Sequence, residues 1–265
     1  MIITSPQNPK IKQAINLNER RHREREGLML VEGFEELSLA LESGVRPQTL
    51  FYCPELFSKN TGELLERTRA TGAEIIEVTL PVFEKIAYRE NPDGWLALVP
   101  TQSIRRHLSD LALGENPLLV VAEAVEKPGN LGAILRSADA AGVNALILCD
   151  PTTDVCNPNV VRSSRGTLFS LPVVEAQKEE ALRWLREHRI TLIAATPQAD
   201  LIYTQADLRG PVAIVVGTEK EGLSQTWLEQ ADITVRIPMR GRVNSLNVAT
   251  ATTLLLYEAV RQRNS

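Results

Sequence analysis

The sequence predicts two α/β domains in series, the second built on a sheet of parallel strands buried on both faces. Three observations predict it. Strand-like and helix-like stretches alternate along nearly the whole chain, the later strands are almost unbroken runs of Val, Ile, Leu and Ala, and a stretch mixing charge, Gly and Pro separates the halves. At 265 residues the chain is long for one small domain and comfortable for two.

From Asn8 the pattern Ile11, Ala14, Ile15 followed by charges predicts an amphipathic helix over 8–26. Gly27 ends it, and the apolar run 28–31 predicts a strand. Helix is then expected over 34–41, strand over 49–52, helix over 62–70, strand over 74–78, helix over 81–88 and strand over 95–99. Residues 101–117 read as the linker. The expected division is an N-terminal domain over 1–105, a linker over 106–116 and a C-terminal domain over 117–265. In the latter, strands are expected over 118–122, 145–149, 190–195, 212–216 and 233–237, with a final helix to about Gln262.

Composition bounds the function class. The apolar share of 43% and charged share of 23% are those of a chain with a packed core. No apolar run approaches the roughly 18 to 20 residues that span a bilayer, and MIITSPQNPK lacks the organisation of a signal peptide, so no membrane partner and a cytoplasmic location are expected. Cys53, Cys149 and Cys156 form no CxxC or Cys/His cluster, which predicts free thiols and no metal. The net charge of -4 argues against a protein coated in nucleic acid. Yet Arg20, Arg21, Arg23 and Arg25 crowd one short stretch, interleaved with Glu19, Glu24 and Glu26. That stretch is either a solvated mixed-charge helix or an RNA contact.

Three constellations carry chemistry. The first, EKPGNLGAILRSAD over 126–139, follows the first strand of the second domain; Gly129 suits a tight turn and Asn130 an N-cap. Leu131, Ile134, Leu135 and Ala138 share a helix face, so Arg136 projects from the opposite one towards solvent, a partner or a ligand. The segment lacks the G-x-G-x-x-G spacing of a dinucleotide turn, which removes an NAD-type oxidoreductase. The second, VVGTEKEGLS over 215–224, sets two glycines around carboxylates, either to let backbone approach a ligand or simply to turn from strand to helix. The third, IPMRGRVNSLNVAT over 237–250, runs into a helix apolar around most of its circumference, as expected for one packed on its own sheet and on a second subunit. His22, His107 and His188 have no ligand spacing, and Trp95, Trp184 and Trp227 read as packing anchors.

Taken in order, PGNLGAILRSADAAG, VVGTEKEGLS and IPMRGRVNSLNVATATTLLLYEAVRQ resemble the three signature motifs of the SpoU/TrmH branch of the SPOUT methyltransferases. The resemblance is close over about 117–263. It is looser in the N-terminal domain, where GLMLVEG and 91–97 look like a small ribosomal-protein-like RNA-binding domain. It implies an α/β-knot, a parallel sheet with a trefoil knot, and transfer of a methyl group from S-adenosylmethionine to a ribose 2'-hydroxyl of structured RNA, ribosomal RNA before tRNA. By the same resemblance Ala195, Thr196, Gly217, Ile237, Met239 and Leu246 hold the cofactor, while Arg136, Asn130, Glu219, Ser245 and Asn247 form the reacting site. RNA contacts are expected at Arg20, Arg21, Arg23, Arg25, Arg162 and Arg165, and a homodimer through the C-terminal domain. Lys127, Ser137 and Thr218 depart from the commonest family residues, which bears on substrate identity more than on activity. A catalytically silent RNA-binding assembly factor on the same fold is the alternative.

Overall fold

The computed structural model describes residues 2–58 and 62–264. Its elements begin β1 (Ile2–Ile3), α1 (Pro9–Asn16), α2 (Arg20–Glu26), β2 (Leu28–Glu32), α3 (Phe34–Glu42), β3 (Thr49–Tyr52), α4 (Gly62–Ala70), β4 (Glu74–Val78), α5 (Leu80–Ile86) and β5 (Trp95–Pro100). There follow β6 (Leu118–Glu123), α6 (Pro128–Ala140), β7 (Ala145–Cys149), α7 (Pro158–Ser164), α8 (Thr167–Ser170), β8 (Val173–Ala176) and α9 (Lys178–Glu187). The chain ends with β9 (Thr191–Ala195), β10 (Leu201–Ile202), β11 (Val212–Val216), α10 (Gln225–Gln230), β12 (Ile233–Arg236) and α11 (Val248–Arg263). Two compact units result, Met1–Arg105 with Asp154–Ser170, and Arg106–Thr153 with Leu171–Ser265.

The first unit holds a sheet in the order β1-β4-β3-β5-β2. β4 runs parallel to β1 and β3, while β5 is antiparallel to both β3 and β2. Ile11, Ala14, Phe51, Ile76, Phe83 and Leu98 belong to one buried cluster on it. The single helix expected over 8–26 is two. Buried Arg23 accounts for the break, because its guanidinium donates to the carbonyls of Leu17 and Asn18 at 2.8 Å each, groups that a continuous helix would have paired internally. Asn8 caps α1 by accepting from the Lys10 N–H, and Gly27 closes α2 at φ 64. α7 packs on β2 and α8 on α3, so residues 154–170, which the contiguous division from sequence assigns to the second domain, fold with the first unit.

In the second unit seven strands lie in the order β10-β12-β9-β11-β6-β7-β8, all parallel. β6, β7 and β11 are buried at every residue, as the continuous apolar runs predict. α9 and α10 cover β7 and β9, and α11 packs on α6 and β11. Trp184 and Trp227 are buried in this core. Cys53, Cys149 and Cys156 are buried free thiols, and burial pushes Cys149 up to about 12. Among the described residues no helix is long and apolar enough to cross a membrane.

Candidate active site

The register of the parallel strands brings four of the six expected cofactor residues, Ala195, Thr196, Gly217 and Ile237, to one edge. Val216 stands opposite Ala122 on β6, Val215 opposite Ala194 on β9, and Val235 of β12 opposite Ala195. The chain therefore leaves the sheet at Ala195 and Thr196, at Gly217 and at Ile237 along one carboxyl edge, where α/β sheets bind ligands. The Thr196 N–H donates to the Val235 carbonyl at 2.9 Å, which fixes the β9 exit against β12. After Gly217 the chain doubles back: Thr218 and Gly222 exchange N–H to carbonyl bonds of 3.0 and 3.1 Å. A Cβ on Gly217 would stand 2.1 Å from the Gly222 carbonyl oxygen, so the close approach of backbone, not a positive φ, requires glycine there.

The first motif forms α6, but not as its sequence suggests. Lys127 is the N-cap and Pro128 the first helical residue, which places Gly129 and Asn130 inside the first turn. Asn130 is therefore not a cap. Its Oδ1 accepts a 3.1 Å hydrogen bond from the Asn247 amide, and it is Asn247 that caps a helix, its Oδ1 accepting from the Ala249 and Thr250 N–H groups at the start of α11. This fixes both amides. With Oδ1 engaged, the buried Asn130 Nδ2 has no hydrogen-bond partner among the described residues.

Lys127 reaches the second motif, its Nζ 2.5 Å from Glu219 Oε2. Glu219 lifts the Lys127 ammonium above the usual lysine range, first by that hydrogen bond and then by its charge. Further along, the Ser137 and Thr253 hydroxyls meet at 2.7 Å between α6 and α11. Asn130, Glu219 and Asn247 thus gather around the start of α6. Arg136 and Ser245 are exposed, and neither side chain has an ion pair or hydrogen bond among the described residues. Arg136 lies about 9 Å along the helix axis from Asn130, at roughly 1.5 Å per residue.

Sequence reasoning missed Glu123, the last residue of β6. Its buried carboxylate accepts the Ser224 N–H at 2.7 Å and pairs with Lys178 at 3.4 Å, which pins the return of the second motif to the central strand. The available signal was an acidic residue closing an otherwise apolar strand.

Of the arginines expected at RNA, Arg23 is corrected. It is 2% exposed, and besides the two carbonyls it holds Asp154 at 2.6 Å, so it is a structural residue with no group to offer a phosphate. Arg20 and Arg25 are exposed but pair with Glu24 and Glu26, and Arg21 is exposed. Arg162 of α7 and Arg165, which ends α7 at φ 53, are exposed in the first unit.

The residues fit an adenosyl cofactor. Residues 238–246 make no backbone-to-backbone hydrogen bond among the described residues, and Met239 and Leu246 within them are half-buried. The backbone groups of these half-buried residues are available to hydrogen-bond a ligand. Gly217 is crowded by backbone on this edge, and Asn130 Nδ2, at the start of α6, has no hydrogen-bond partner among the described residues.

Comparison with known proteins decides the class. Residues 117–257 match the SpoU rRNA Methylase family, and residues 8–97 an MRM3-like substrate binding domain. The chain belongs to the SpoU rRNA methylase family. A Streptomyces viridochromogenes relative named 23S rRNA (uridine(2479)-2'-O)-methyltransferase is 37% identical over 94% of this chain and 88% of its own length. The crystal structure of an RNA 2'-O ribose methyltransferase is 41% identical at a TM-score of 0.88, covering 100% of both chains. An AdoMet-bound rRNA methyltransferase from Sinorhizobium meliloti gives 32% identity and a TM-score of 0.90 over 98% of this chain and 97% of that one. The SPOUT class expected from the three motifs is thus the class of this SpoU protein, its cofactor is S-adenosylmethionine, and it is a methyltransferase.

Proposed function

We propose that this SpoU protein methylates a ribose 2'-hydroxyl of ribosomal RNA, and that the edge formed by Ala195, Thr196, Gly217, Ile237, Met239 and Leu246 holds the cofactor. The observation that carries the reading is the convergence of all three motifs on the start of α6, through Lys127 with Glu219 and Asn130 with Asn247. S-adenosylmethionine supplies an electrophilic methyl group when bound. The chain's own residues position the acceptor. Asn130 Nδ2, which has no partner among the described residues, donates to an oxygen of the bound nucleotide. Arg136, exposed and without an ion pair among the described residues, places a positive charge beside the phosphate and the oxygen that becomes nucleophilic. Ser245, exposed in the third motif, is the nearest hydroxyl in sequence to the Asn247 cap. A guanidinium is a cation with five donors and no acceptor, so orientation and charge are favoured over Arg136 acting as a base.

Ribosomal RNA is favoured over tRNA by the names of relatives that share both units, and by the match of the first unit to a substrate binding domain. Arg20, Arg21, Arg25, Arg162 and Arg165 are the proposed phosphate contacts, and the cytoplasm is the proposed location. α11 buries Val248, Ala249, Leu255, Leu256 and Ala259 yet leaves Leu254 37% and Tyr257 49% exposed, one turn apart. That supports a homodimer through this helix. Sedimentation at micromolar concentration tests it, a monomer removing the proposal. For the reaction, tritiated S-adenosylmethionine is incubated with separate pools of unmodified ribosomal RNA and tRNA transcripts. Label in ribosomal RNA alone supports the reading; label in tRNA alone overturns the substrate; cofactor binding without label in either favours a silent RNA-binding protein.

A further inference from the structure

A cleft in the first unit plays no part in the site above. It encloses about 350 Å³, within the range of small-ligand sites, and every lining residue belongs to Met1–Arg105 or Asp154–Ser170. Its floor is an ionic network. Arg89 pairs with buried Glu36 at 2.5 Å and donates to the Glu32 carbonyl at 3.0 Å, while Asp93 Oδ2 accepts the Phe34 N–H at 2.7 Å. Two atoms of that floor are buried without a partner among the described residues, the Asp93 Oδ1 acceptor and the Arg89 Nε donor. Native proteins leave few such atoms, and each asks for a ligand or water. Around them, Arg162, Arg165, Glu90 and Asn91 are exposed lining residues whose side chains have no ion pair or hydrogen bond among the described residues.

The charges narrow the occupant. Three arginines face four carboxylates across the lining, so a bare anion and a bare cation are each opposed. A suitable ligand brings negative charge to Arg162 and Arg165 and N–H donors to the carboxylates. A nucleotide in single-stranded RNA brings both, and such bases are recognised on their Watson–Crick edges. Guanine alone among the four RNA bases presents two adjacent donors there, N1–H and the N2 amino group. Asp93 Oδ1 supplies one acceptor, and Glu90 or Asn91 supplies the second.

We propose that this cleft binds a guanine nucleotide of the substrate RNA, with Asp93 reading the base edge and Arg162 and Arg165 holding the backbone phosphates. The RNA as source of that nucleotide rests on the function proposed above; the guanine chemistry rests on the cleft. The test is fluorescence anisotropy of the full chain, saturated with S-adenosylmethionine, on single-stranded RNA pentamers of uridines with a central guanosine, inosine, adenosine or cytidine. Guanosine is expected to bind about tenfold more tightly than inosine, which keeps N1–H but lacks the amino group. Arg162→Ala with Arg165→Ala should weaken all four pentamers and lower the magnitude of the salt slope by about 1.4, two single-strand phosphate contacts' worth. Asp93→Asn keeps an oxygen for the Phe34 N–H and turns the free acceptor into a donor; it should abolish the guanosine preference while thermal unfolding stays cooperative. Equal affinity for guanosine and inosine, an unchanged salt slope in the double variant, or a retained preference in Asp93→Asn overturns the proposal. Ribosomal RNA methylation without guanosine preference sinks this inference alone, and guanosine preference without methyl transfer sinks the enzymatic reading alone.

Discussion

Replacing Gly217 by alanine puts a methyl group where backbone already is. The new Cβ would stand 2.1 Å from the Gly222 carbonyl oxygen, 2.3 Å from its carbon and 2.5 Å from the Leu223 nitrogen. Contacts of a Cβ under 3.0 Å essentially never occur, so the 218–222 turn must move by about 1 Å, the scale at which misplacement costs on the order of a hundredfold in rate. The carbonyl that has to move accepts the Thr218 N–H, and Gly222 donates back to Thr218. Disturbing that pair costs about 1 to 3 kcal/mol at roughly 0.5 to 1.5 per bond. Gly217→Ala is therefore expected to weaken S-adenosylmethionine binding ten- to hundredfold in isothermal titration calorimetry and to lower the unfolding midpoint modestly. Gly210→Ala is the control, since a Cβ there meets nothing within 4 Å. Unchanged cofactor affinity in Gly217→Ala would refute the assignment of this turn to the cofactor edge.

Three other perturbations separate structural from functional roles. Asn247→Ala removes the α11 cap and the bond to Asn130; a loss of about 1 kcal/mol in denaturant unfolding is expected, together with a lower turnover, and a full-activity variant would remove Asn130 and Asn247 from the site. Arg23→Ala strands Asp154 and two carbonyls, for an expected destabilisation on the order of 3 to 5 kcal/mol; an unchanged urea midpoint contradicts the structural role. Burial raises the Glu32 carboxyl above its ordinary value, partly opposed by the Tyr88 N–H and the Arg89 charge. The native state then keeps this proton to higher pH than the unfolded chain, so the contribution is present below about pH 4.5 and is lost as pH rises through the folded value. Glu32→Gln should flatten the decline of stability over that window, and an unaltered pH profile would reject the cause.

Much of the fold is legible because apolar periodicity decides it. The strands at Ala145–Cys149 and Val212–Val216 lie where unbroken apolar runs predict them, and those at Thr49–Tyr52 and Glu74–Val78 where short runs rich in Ile, Leu, Val and aromatic residues do. β8 and β10 escape such a reading, being four and two residues long, with exposed Glu175 interrupting the first. Tertiary contacts decide what local pattern cannot. The α1–α2 break depends on where Arg23 finds its carbonyls, and the grouping of residues 154–170 with the first unit depends on packing against β2 and α3. In the candidate site the three motifs were legible one by one. Their joining was not, because the exchange of capping from Asn130 to Asn247 arises only when α6 and α11 start side by side.

The most direct test of the central claim is where the transferred methyl group resides. Ribosomal RNA labelled from tritiated S-adenosylmethionine by the wild-type protein and by Arg136→Ala is hydrolysed in alkali, which cannot cleave beside a methylated 2'-oxygen. The expected result is label in an alkali-resistant dinucleotide, at least about a hundredfold lower with Arg136→Ala although that variant binds the cofactor and unfolds normally, since the side chain is exposed and has no ion pair or hydrogen bond among the described residues. Label in mononucleotides would place the methyl on a base, and full activity of Arg136→Ala would remove the arginine from the reaction.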